Sequence, residues 1–114
     1  MSAKILVIED NEQNMYLMHF LLESKGYQVI GAENGKIGIQ MAIDEKPDVI
    51  LLDIQLPEMD GYEIAGILRK TEEVSRIPII AVTSYAMAGD KERILAAGAT
   101  DYIEKPINPE TFVD

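Results

Sequence analysis

The chain contains no cysteine, no tryptophan and only one histidine, which limits the kinds of functional site it can form. Without cysteine it can form neither a disulfide bond nor a thiolate metal centre. The single histidine, His19, lies inside a predicted helix and offers no zinc site, because zinc normally takes several histidine or cysteine ligands. Any metal ion bound by this chain must therefore be held mainly by oxygen atoms.

Basic residues are also scarce. Ten Lys and Arg residues stand against twenty Asp and Glu residues, which gives a formal net charge of −10 at pH 7. This charge disfavours direct binding to nucleic acid or to an anionic membrane surface, since both need basic patches. No apolar run is long enough to cross a bilayer, and residues 1–4 lead into a strand without a signal peptide. These features predict a soluble cytoplasmic protein.

Short apolar strands alternate with helical patterns along the chain, which is typical of an α/β domain with a parallel sheet. The predicted strands lie near residues 4–8, 28–32, 48–52, 78–82 and 101–104. The predicted helices lie near residues 12–25, 36–45, 61–70, 86–97 and from 108 onward. Gly26 and Gly98 are predicted to end helices, because glycine readily adopts the left-handed backbone found there. Residues 1–114 are predicted to form one domain.

The last predicted helix is short, because it begins near residue 108 and the chain stops at Asp114. A surface helix averages about 11 residues, so most of this fifth helix would be lacking. Apolar surface near the first and fifth strands would then be uncovered, which predicts lowered stability or self-association as a homodimer.

The first predicted helix is apolar over a wide arc. Met15, Met18 and Leu22 lie on one stripe, and Leu17 and Leu21 lie on another. Packing onto a sheet uses only part of such an arc. Core packing is the favoured explanation, and a rim that docks a partner protein is the alternative.

Polar and charged residues follow four of the predicted strands. Glu9 and Asp10 follow the first, Asp53 follows the third, and Thr83 and Lys105 follow the fourth and fifth. In a parallel α/β sheet the functional crevice lies beyond the carboxyl ends of the strands. Three carboxylates brought together there would repel one another, and a hard divalent cation would remove that repulsion. Mg²⁺, which prefers oxygen ligands, is the predicted occupant.

Asp53 also suits a chemical role, since a carboxylate beside a metal can act as a nucleophile toward phosphorus. The added phosphoryl oxygens need partners, which Lys105, Thr83 and the backbone amides of Ile54 and Ser84 could supply. Taken singly, these residues have ordinary explanations, such as a solvated lysine, a turn threonine or a helix-capping aspartate. Their joint placement at the strand ends favours the functional interpretation.

These residues belong to a set of motifs that keeps its order and spacing over nearly the whole chain. The set comprises Glu9 with Asp10, Asp53, the loop 56–61, Thr83 with Ser84, residues 89–99, and Lys105 with Pro106. With these motifs the chain resembles a response-regulator receiver domain, the phosphoacceptor module of two-component signalling. Asp10, Asn11 and Asn14 are similar to those of single-domain receivers and of receivers attached to hybrid histidine kinases. The resemblance implies a doubly wound five-stranded parallel sheet of the flavodoxin-like order 2-1-3-4-5.

The resemblance also implies a role for each acidic residue. Asp53 would carry the phosphoryl group. Asp10, Asp53 and the backbone carbonyl of Gln55 would bind Mg²⁺, with Mn²⁺ as a substitute. Glu9 would act on the metal ion through a water molecule.

A second group of residues would respond to the phosphoryl group. Thr83, Ser84 and Lys105 would bind it. Tyr102 corresponds to the switch aromatic residue, which turns inward when Thr83 moves toward the phosphoryl oxygens. Without the resemblance, Tyr102 would be interpreted as a half-buried strand residue. The peptide bond before Pro106 would be cis, which is true of only about 5–6% of bonds to proline.

The implied partners follow from the same resemblance. A phosphohistidine on a histidine kinase or a histidine phosphotransfer protein would donate the phosphoryl group. Donor docking is placed at Asn11, Asn14, Met15 and Met18 of the first helix, and at the loop after Lys105. The surface formed by helix 4, strand 5 and helix 5 would change, and a downstream effector or output domain would respond to it.

Other functions are less well supported. One alternative is a constitutive receiver-like interaction module that does not use phosphorylation. Such modules often lack part of the acidic pocket or the lysine, whereas this chain has the complete acidic pocket and the lysine. A phosphatase with an aspartyl nucleophile typically has an acid–base aspartate two residues later, where this chain has Gln55. A dinucleotide carrier would need a glycine-rich phosphate loop after the first strand. The chain is thus predicted not to be an enzyme, beyond self-phosphorylation from small donors and slow autodephosphorylation.

Overall fold

The structure, a computed structural model, describes residues 3–53, 61–83, 92, 95–96 and 98–104. For residues 83 and 101–104 it describes the backbone alone. The strands are β1 (Lys4–Ile8), β2 (Gln28–Ala32), β3 (Val49–Asp53), β4 (Ile79–Thr83) and β5 (Asp101–Glu104). The helices are α1 (Glu12–Ser24), α2 (Gly35–Glu45) and α3 (Gly61–Lys70), and a short 3-10 helix spans Glu72–Val74. Within these described ranges, no helix is long and apolar enough to cross a membrane.

The strands form a single parallel sheet in the order β2-β1-β3-β4-β5. The predicted order is confirmed for the first four strands, each of which pairs in parallel with its neighbour. The backbone of β5 pairs with β4, and Thr83 lies beside Glu104. The fourth predicted helix falls mostly outside the described residues, and the fifth falls wholly outside them.

The core has two layers because alternate residues of a strand point to opposite faces of the sheet. Leu6 and Ile8 of β1 are buried with residues of α2 and α3 on one face. Ile5 and Val7 are buried on the other face, together with Met18 of α1. Residues 5–8 of β1 are therefore buried on both faces of the sheet. The expectation of uncovered apolar surface near the first and fifth strands stays a prediction, because the fifth helix lies outside the described residues.

Helix α1 ends at a glycine, as predicted. Gly26 has φ of 91°, and its N–H donates to the carbonyl of Glu23 at 3.0 Å. The N–H of Tyr27 donates to the carbonyl of Leu22 at 3.2 Å, which completes the paired hydrogen bonds typical of such helix ends. Gly98 has φ of 121°. The backbone at both predicted positions is therefore in the region that favours glycine.

A second glycine determines how closely α2 approaches the sheet. A Cβ atom at Gly38 would lie 2.5 Å from Cδ1 and 2.7 Å from Cγ1 of Ile8, which is fully buried in β1. By contrast, a Cβ atom at Gly66 of α3 would meet nothing within 4 Å. Gly38 and Gly66 therefore have different reasons to be present, because packing requires a glycine at position 38 but not at position 66.

Replacing each of these glycines with alanine should change stability in opposite directions. Gly66→Ala should stabilise the protein by about 0.5–1 kcal/mol, since alanine is the better helix former. Gly38→Ala should destabilise it by about 1 kcal/mol or more, because the new methyl group overpacks the core against Ile8. The midpoint of urea unfolding measures both changes. Equal gains in stability for the two variants would contradict the packing role of Gly38.

One arginine joins three segments of the chain at the far end of α3. Arg69 donates from Nε to the carbonyl of Gly98 at 2.7 Å, and from Nη1 to the carbonyls of Ser75 at 3.0 Å and Ile77 at 2.7 Å. Its Nη2 donates to Oγ1 of Thr100 at 3.2 Å. Burial lowers the pKa of the Arg69 guanidinium, which nevertheless stays protonated because arginine titrates far above neutral pH. Arg69 thus ties α3 to the segments that precede β4 and β5.

Candidate functional site

The first two acidic positions are set by the register of the central strands. Ile8 of β1 is paired with Leu52 of β3, so Glu9 and Asp53 are the next residues along two neighbouring parallel strands. Glu9 and Asp53 are only 1% and 2% exposed, whereas Asp10 is exposed. Carboxylate oxygens of these three residues lie within 4.8 Å of one another. The predicted acidic cluster is therefore present at the carboxyl edge of the sheet.

The start of α1 holds part of this cluster in place. Asn11 is the N-cap residue, and its Oδ1 accepts a hydrogen bond from the N–H of Asn14 at 2.9 Å. The N–H of Asn11 donates to Oε2 of Glu9 at 3.1 Å. One residue thus begins the helix and also positions a buried carboxylate. The positive end of the α1 dipole lies beside the acidic cluster and favours negative charge there.

The donor set of the cluster fits a hard divalent cation. Glu9, Asp10 and Asp53 offer oxygen ligands only, and their spacing allows one ion to contact all three carboxylates or water molecules that they hold. One exposed and two buried carboxylates leave an open side toward solvent, where further ligands could enter. Such a site suits Mg²⁺, which usually keeps several water or phosphate oxygens.

A cleft of about 310 Å³ lies next to the cluster and extends along α1. Its lining includes Glu9 and Asp10, and also three residues that the sequence interpretation did not select: Glu12, Tyr16 and Glu33. Glu33 directly follows β2. The search for acidic residues directly after predicted strands, which identified Glu9 and Asp53, would have identified Glu33 too. Its position could therefore have been predicted from the sequence.

The predicted switch and phosphoryl-binding residues are only partly described. The backbone of Thr83 forms the last residue of β4. It follows Val82, which is paired with Asp53 of β3. The backbone of Tyr102 lies in β5 opposite Ala81. The remaining predicted site residues lie outside the described residues: Ile54, Gln55, Ser84, Lys105, Pro106 and the predicted docking loop after Lys105.

The predicted docking residues on α1 divide into two groups. Asn11 is exposed, and Asn14 and Met15 are half-buried, so all three are reachable at the surface. Met18 is 1% exposed and packs in the core with Leu22. The prediction that Met18 contacts a partner is therefore wrong, because its side chain faces the sheet.

These observations define a class of protein. The chain has an α/β flavodoxin-like fold with a carboxylate cluster, suited to a cation, at the carboxyl ends of its central strands. The family model for the response regulator receiver domain matches residues 5–114. The chain therefore belongs to the response regulator receiver domain family of two-component signalling.

Relatives of known sequence and structure agree with this assignment. The polar-differentiation response regulator DivK of Brucella anthropi is 44% identical over 114 residues, which cover 100% of this chain and 93% of that protein. The chemotaxis protein CheY4 of Vibrio cholerae has 30% identity and a TM-score of 0.94, covering 99% of this chain and 94% of that one.

A third relative is similar in a way that bears on the acidic cluster. It is the receiver domain of a sensor histidine kinase from Pseudomonas aeruginosa, with 37% identity and a TM-score of 0.88 over 96% of this chain and 90% of that one. That domain was crystallised with a magnesium ion coordinated in its active-site cleft. The chain resembles it in fold, and its own carboxylate cluster suits the same ion.

Proposed function

We propose that this receiver domain acts in the cytoplasm and accepts a phosphoryl group on Asp53 from a phosphohistidine of a histidine kinase or a histidine phosphotransfer protein. The observation that carries the proposal is the convergence of three carboxylates within 4.8 Å, with Asp53 nearly buried at the end of the central strand β3. The magnesium ion in the Pseudomonas aeruginosa relative supports the same use of this site.

The chemistry of the transfer is a displacement at phosphorus. A carboxylate oxygen of Asp53 attacks the phosphorus atom, the bond from phosphorus to the donor imidazole nitrogen breaks, and its electron pair stays on that nitrogen. Asp10, Asp53 and the carbonyl of Gln55 would hold Mg²⁺, with Glu9 acting through water. When bound, the cation would offset the negative charge of the carboxylates and of the phosphoryl oxygens. The domain is thus a phosphoacceptor rather than an enzyme.

The response to phosphorylation would begin at the ends of β4 and β5. Thr83, Ser84 and Lys105 would bind the new phosphoryl oxygens, and Tyr102 would turn inward as Thr83 moves. These movements would favour one state of a pre-existing equilibrium. A coupling of about 1–3 kcal/mol is enough for regulation of this kind. The surface of helix 4, strand 5 and helix 5 would then be available to an effector or output domain.

Mass spectrometry of the intact protein tests the proposal. After incubation with acetyl phosphate and Mg²⁺, the protein should gain the mass of one phosphoryl group, and the gain should be lost when a chelator replaces Mg²⁺, since the cation is needed to offset charge at the acidic cluster. Titration with Mg²⁺ should show saturable binding. No added mass, together with no Mg²⁺ binding at millimolar concentrations, would instead favour the constitutive interaction module.

A further inference from the structure

The backbone N–H of Asn11 is hydrogen-bonded to the acidic cluster rather than to its own helix. Asn11 is the N-cap residue of α1, with an extended backbone (φ −83°, ψ 120°), and its N–H donates to Oε2 of Glu9 at 3.1 Å. In a capping box this N–H is bound instead by a glutamate or glutamine side chain three residues after the cap. In α1 that position is Asn14, and a carboxylate of the acidic cluster takes the place of the capping-box side chain.

Two further hydrogen bonds fix the backbone of Asn11. Its Oδ1 accepts from the N–H of Asn14 at 2.9 Å, and its carbonyl accepts from the N–H of Met15 at 2.9 Å. The side chain thus helps to hold residue 11 in the conformation from which its N–H reaches Glu9. Loss of the side-chain oxygen would release one of these bonds and allow the first turn of the helix to fray. The direction of the N–H toward Glu9 would then be less well defined.

The orientation of Glu9 depends on such contacts because the residue is buried. Glu9 is 1% exposed, and a buried carboxylate needs hydrogen-bond partners from the protein. Its N–H donates to the carbonyl of Ala32 at 3.0 Å, which fixes the backbone to the end of β2. The N–H of Asn11 holds the carboxylate at the other end of the side chain. A carboxylate oxygen of Glu9 is thereby kept within 4.8 Å of oxygens of Asp10 and Asp53.

Helix α2 has the same kind of cap without the carboxylate. Asn34 is its N-cap residue, and its Oδ1 accepts from the N–H of Ile37 at 2.8 Å, as Oδ1 of Asn11 does at the start of α1. Two residues before the cap, however, α2 has Ala32 where α1 has Glu9. The two caps should therefore contribute alike to stability, whereas the cap of α1 also reaches the acidic cluster.

We infer that Asn11 is a positioning residue for the proposed Mg²⁺ site and sets the affinity for the cation by orienting the carboxylate of Glu9. This inference rests on the proposed function and assigns Asn11 a role apart from partner docking. In the proposed site Glu9 acts through a water molecule, so Asn11 touches neither the cation nor the phosphoryl group. Loss of a residue that orients a metal ligand typically weakens metal binding by about 10- to 100-fold. A more distant residue such as Asn11 should act at or below the lower end of that range.

Titration with Mg²⁺ followed by backbone amide NMR tests the inference, because it gives the dissociation constant without any phosphodonor. Asn11→Ala should raise the dissociation constant by about three- to tenfold. Asn11→Ser should bind Mg²⁺ like the wild type, since serine is an equally good N-cap residue. Asn34→Ala is the matched control: it should lose comparable stability in urea but bind Mg²⁺ like the wild type, because it removes the cap of α2 alone.

A double-mutant cycle shows whether Asn11 acts through Glu9. In a Glu9→Ala background, Asn11→Ala should cause no further loss of Mg²⁺ affinity, because the acceptor of the N–H is already absent. The same loss with and without Glu9 would mean that Asn11 acts through the helix dipole instead, which would overturn the inference. Urea midpoints in chelator identify any variant that is unfolded, and the comparison of alanine with serine at position 11 does not depend on Glu9→Ala.

The remaining outcomes separate the inference from the function on which it rests. Equal Mg²⁺ affinity of the wild type and Asn11→Ala would overturn the role of Asn11 and leave the proposed function intact. An equal loss of affinity in Asn11→Ala and Asn34→Ala would do the same, since it would reflect general stability. No binding of Mg²⁺ to the wild type at millimolar concentrations would overturn the metal site itself, and with it both the inference and the Mg²⁺-dependent transfer.

Discussion

An Asp53→Asn variant is expected to accept no phosphoryl group from acetyl phosphate or from a protein donor. The amide cannot act as the nucleophile, and Asp53 is the carboxylate that sits nearly buried at the end of β3, between the ends of β1 and β4. Intact mass after incubation with Mg²⁺ and donor measures the result. A loss to the detection limit is expected, which is the largest effect of any single substitution in the acidic cluster.

A matched control and a rival result make this test specific. Asp44→Asn alters an exposed carboxylate on α2, away from the cluster, and should leave acceptance unchanged. If Asp53→Asn still gains one stable phosphoryl group, peptide mapping would place it on another carboxylate. Asp10 would be the first candidate, since it is the exposed member of the cluster. That result would overturn the assignment of Asp53.

The same variant should reveal the electrostatics of the cluster. In chelator, Asp53→Asn should unfold at a higher urea concentration than the wild type, because one of three neighbouring negative charges has been removed. Mg²⁺ at a hundred times its dissociation constant should stabilise the wild type by about 2.7 kcal/mol, provided the unfolded chain does not bind it. The variant should gain less, since it has lost a ligand.

The strands and helices could be predicted because their signals are local. Each described strand begins and ends within one residue of its predicted position, since each contains a short apolar run. Helix α2 begins at Gly35, where Asn34 accepts a hydrogen bond from the N–H of Ile37 at 2.8 Å. The 3-10 helix of residues 72–74 was missed, because a single turn has no periodic pattern.

The orientation of α1 could not be predicted in the same way. The helix is apolar over a wide arc, so the sequence alone does not show which stripe faces the sheet. The structure places Met18 and Leu22 inward and Tyr16 and Phe20 outward. For that reason Met18 was wrongly assigned to partner docking, and Tyr16 and Phe20 were not identified as exposed residues.

The acidic cluster was predictable because it depends on strand ends, whereas the role of Arg69 was not. Glu9 and Asp53 follow directly from two apolar runs and from the parallel arrangement of their strands. Arg69 acts on three backbone carbonyls and one hydroxyl that lie 6 to 31 residues away along the chain. Every residue type has a backbone carbonyl, so the sequence does not indicate which carbonyls accept hydrogen bonds from Arg69. Only the folded chain shows these contacts.

Replacing Arg69 with methionine should lower the free energy of unfolding by about 3 kcal/mol, since hydrogen bonds from a charged donor contribute more than neutral ones. Methionine keeps most of the aliphatic packing of the side chain but cannot donate to Gly98, Ser75 or Ile77. Urea unfolding followed by circular dichroism measures the change. Arg69→Lys should recover only part of the loss, because a point charge cannot serve several separated acceptors as a planar guanidinium does.

Arg76 provides the matched control for this prediction. It is exposed in the same connecting segment, so Arg76→Met removes the same charge and should change stability by less than about 0.5 kcal/mol. Equal effects of the two substitutions would mean that net charge, rather than the hydrogen bonds of Arg69, determines stability.

Because Gly98 and Thr100 directly precede β5, loss of Arg69 should also increase amide hydrogen exchange in residues 98–104 more than in β1. A uniform increase across the sheet would instead indicate that Arg69 supports global stability alone.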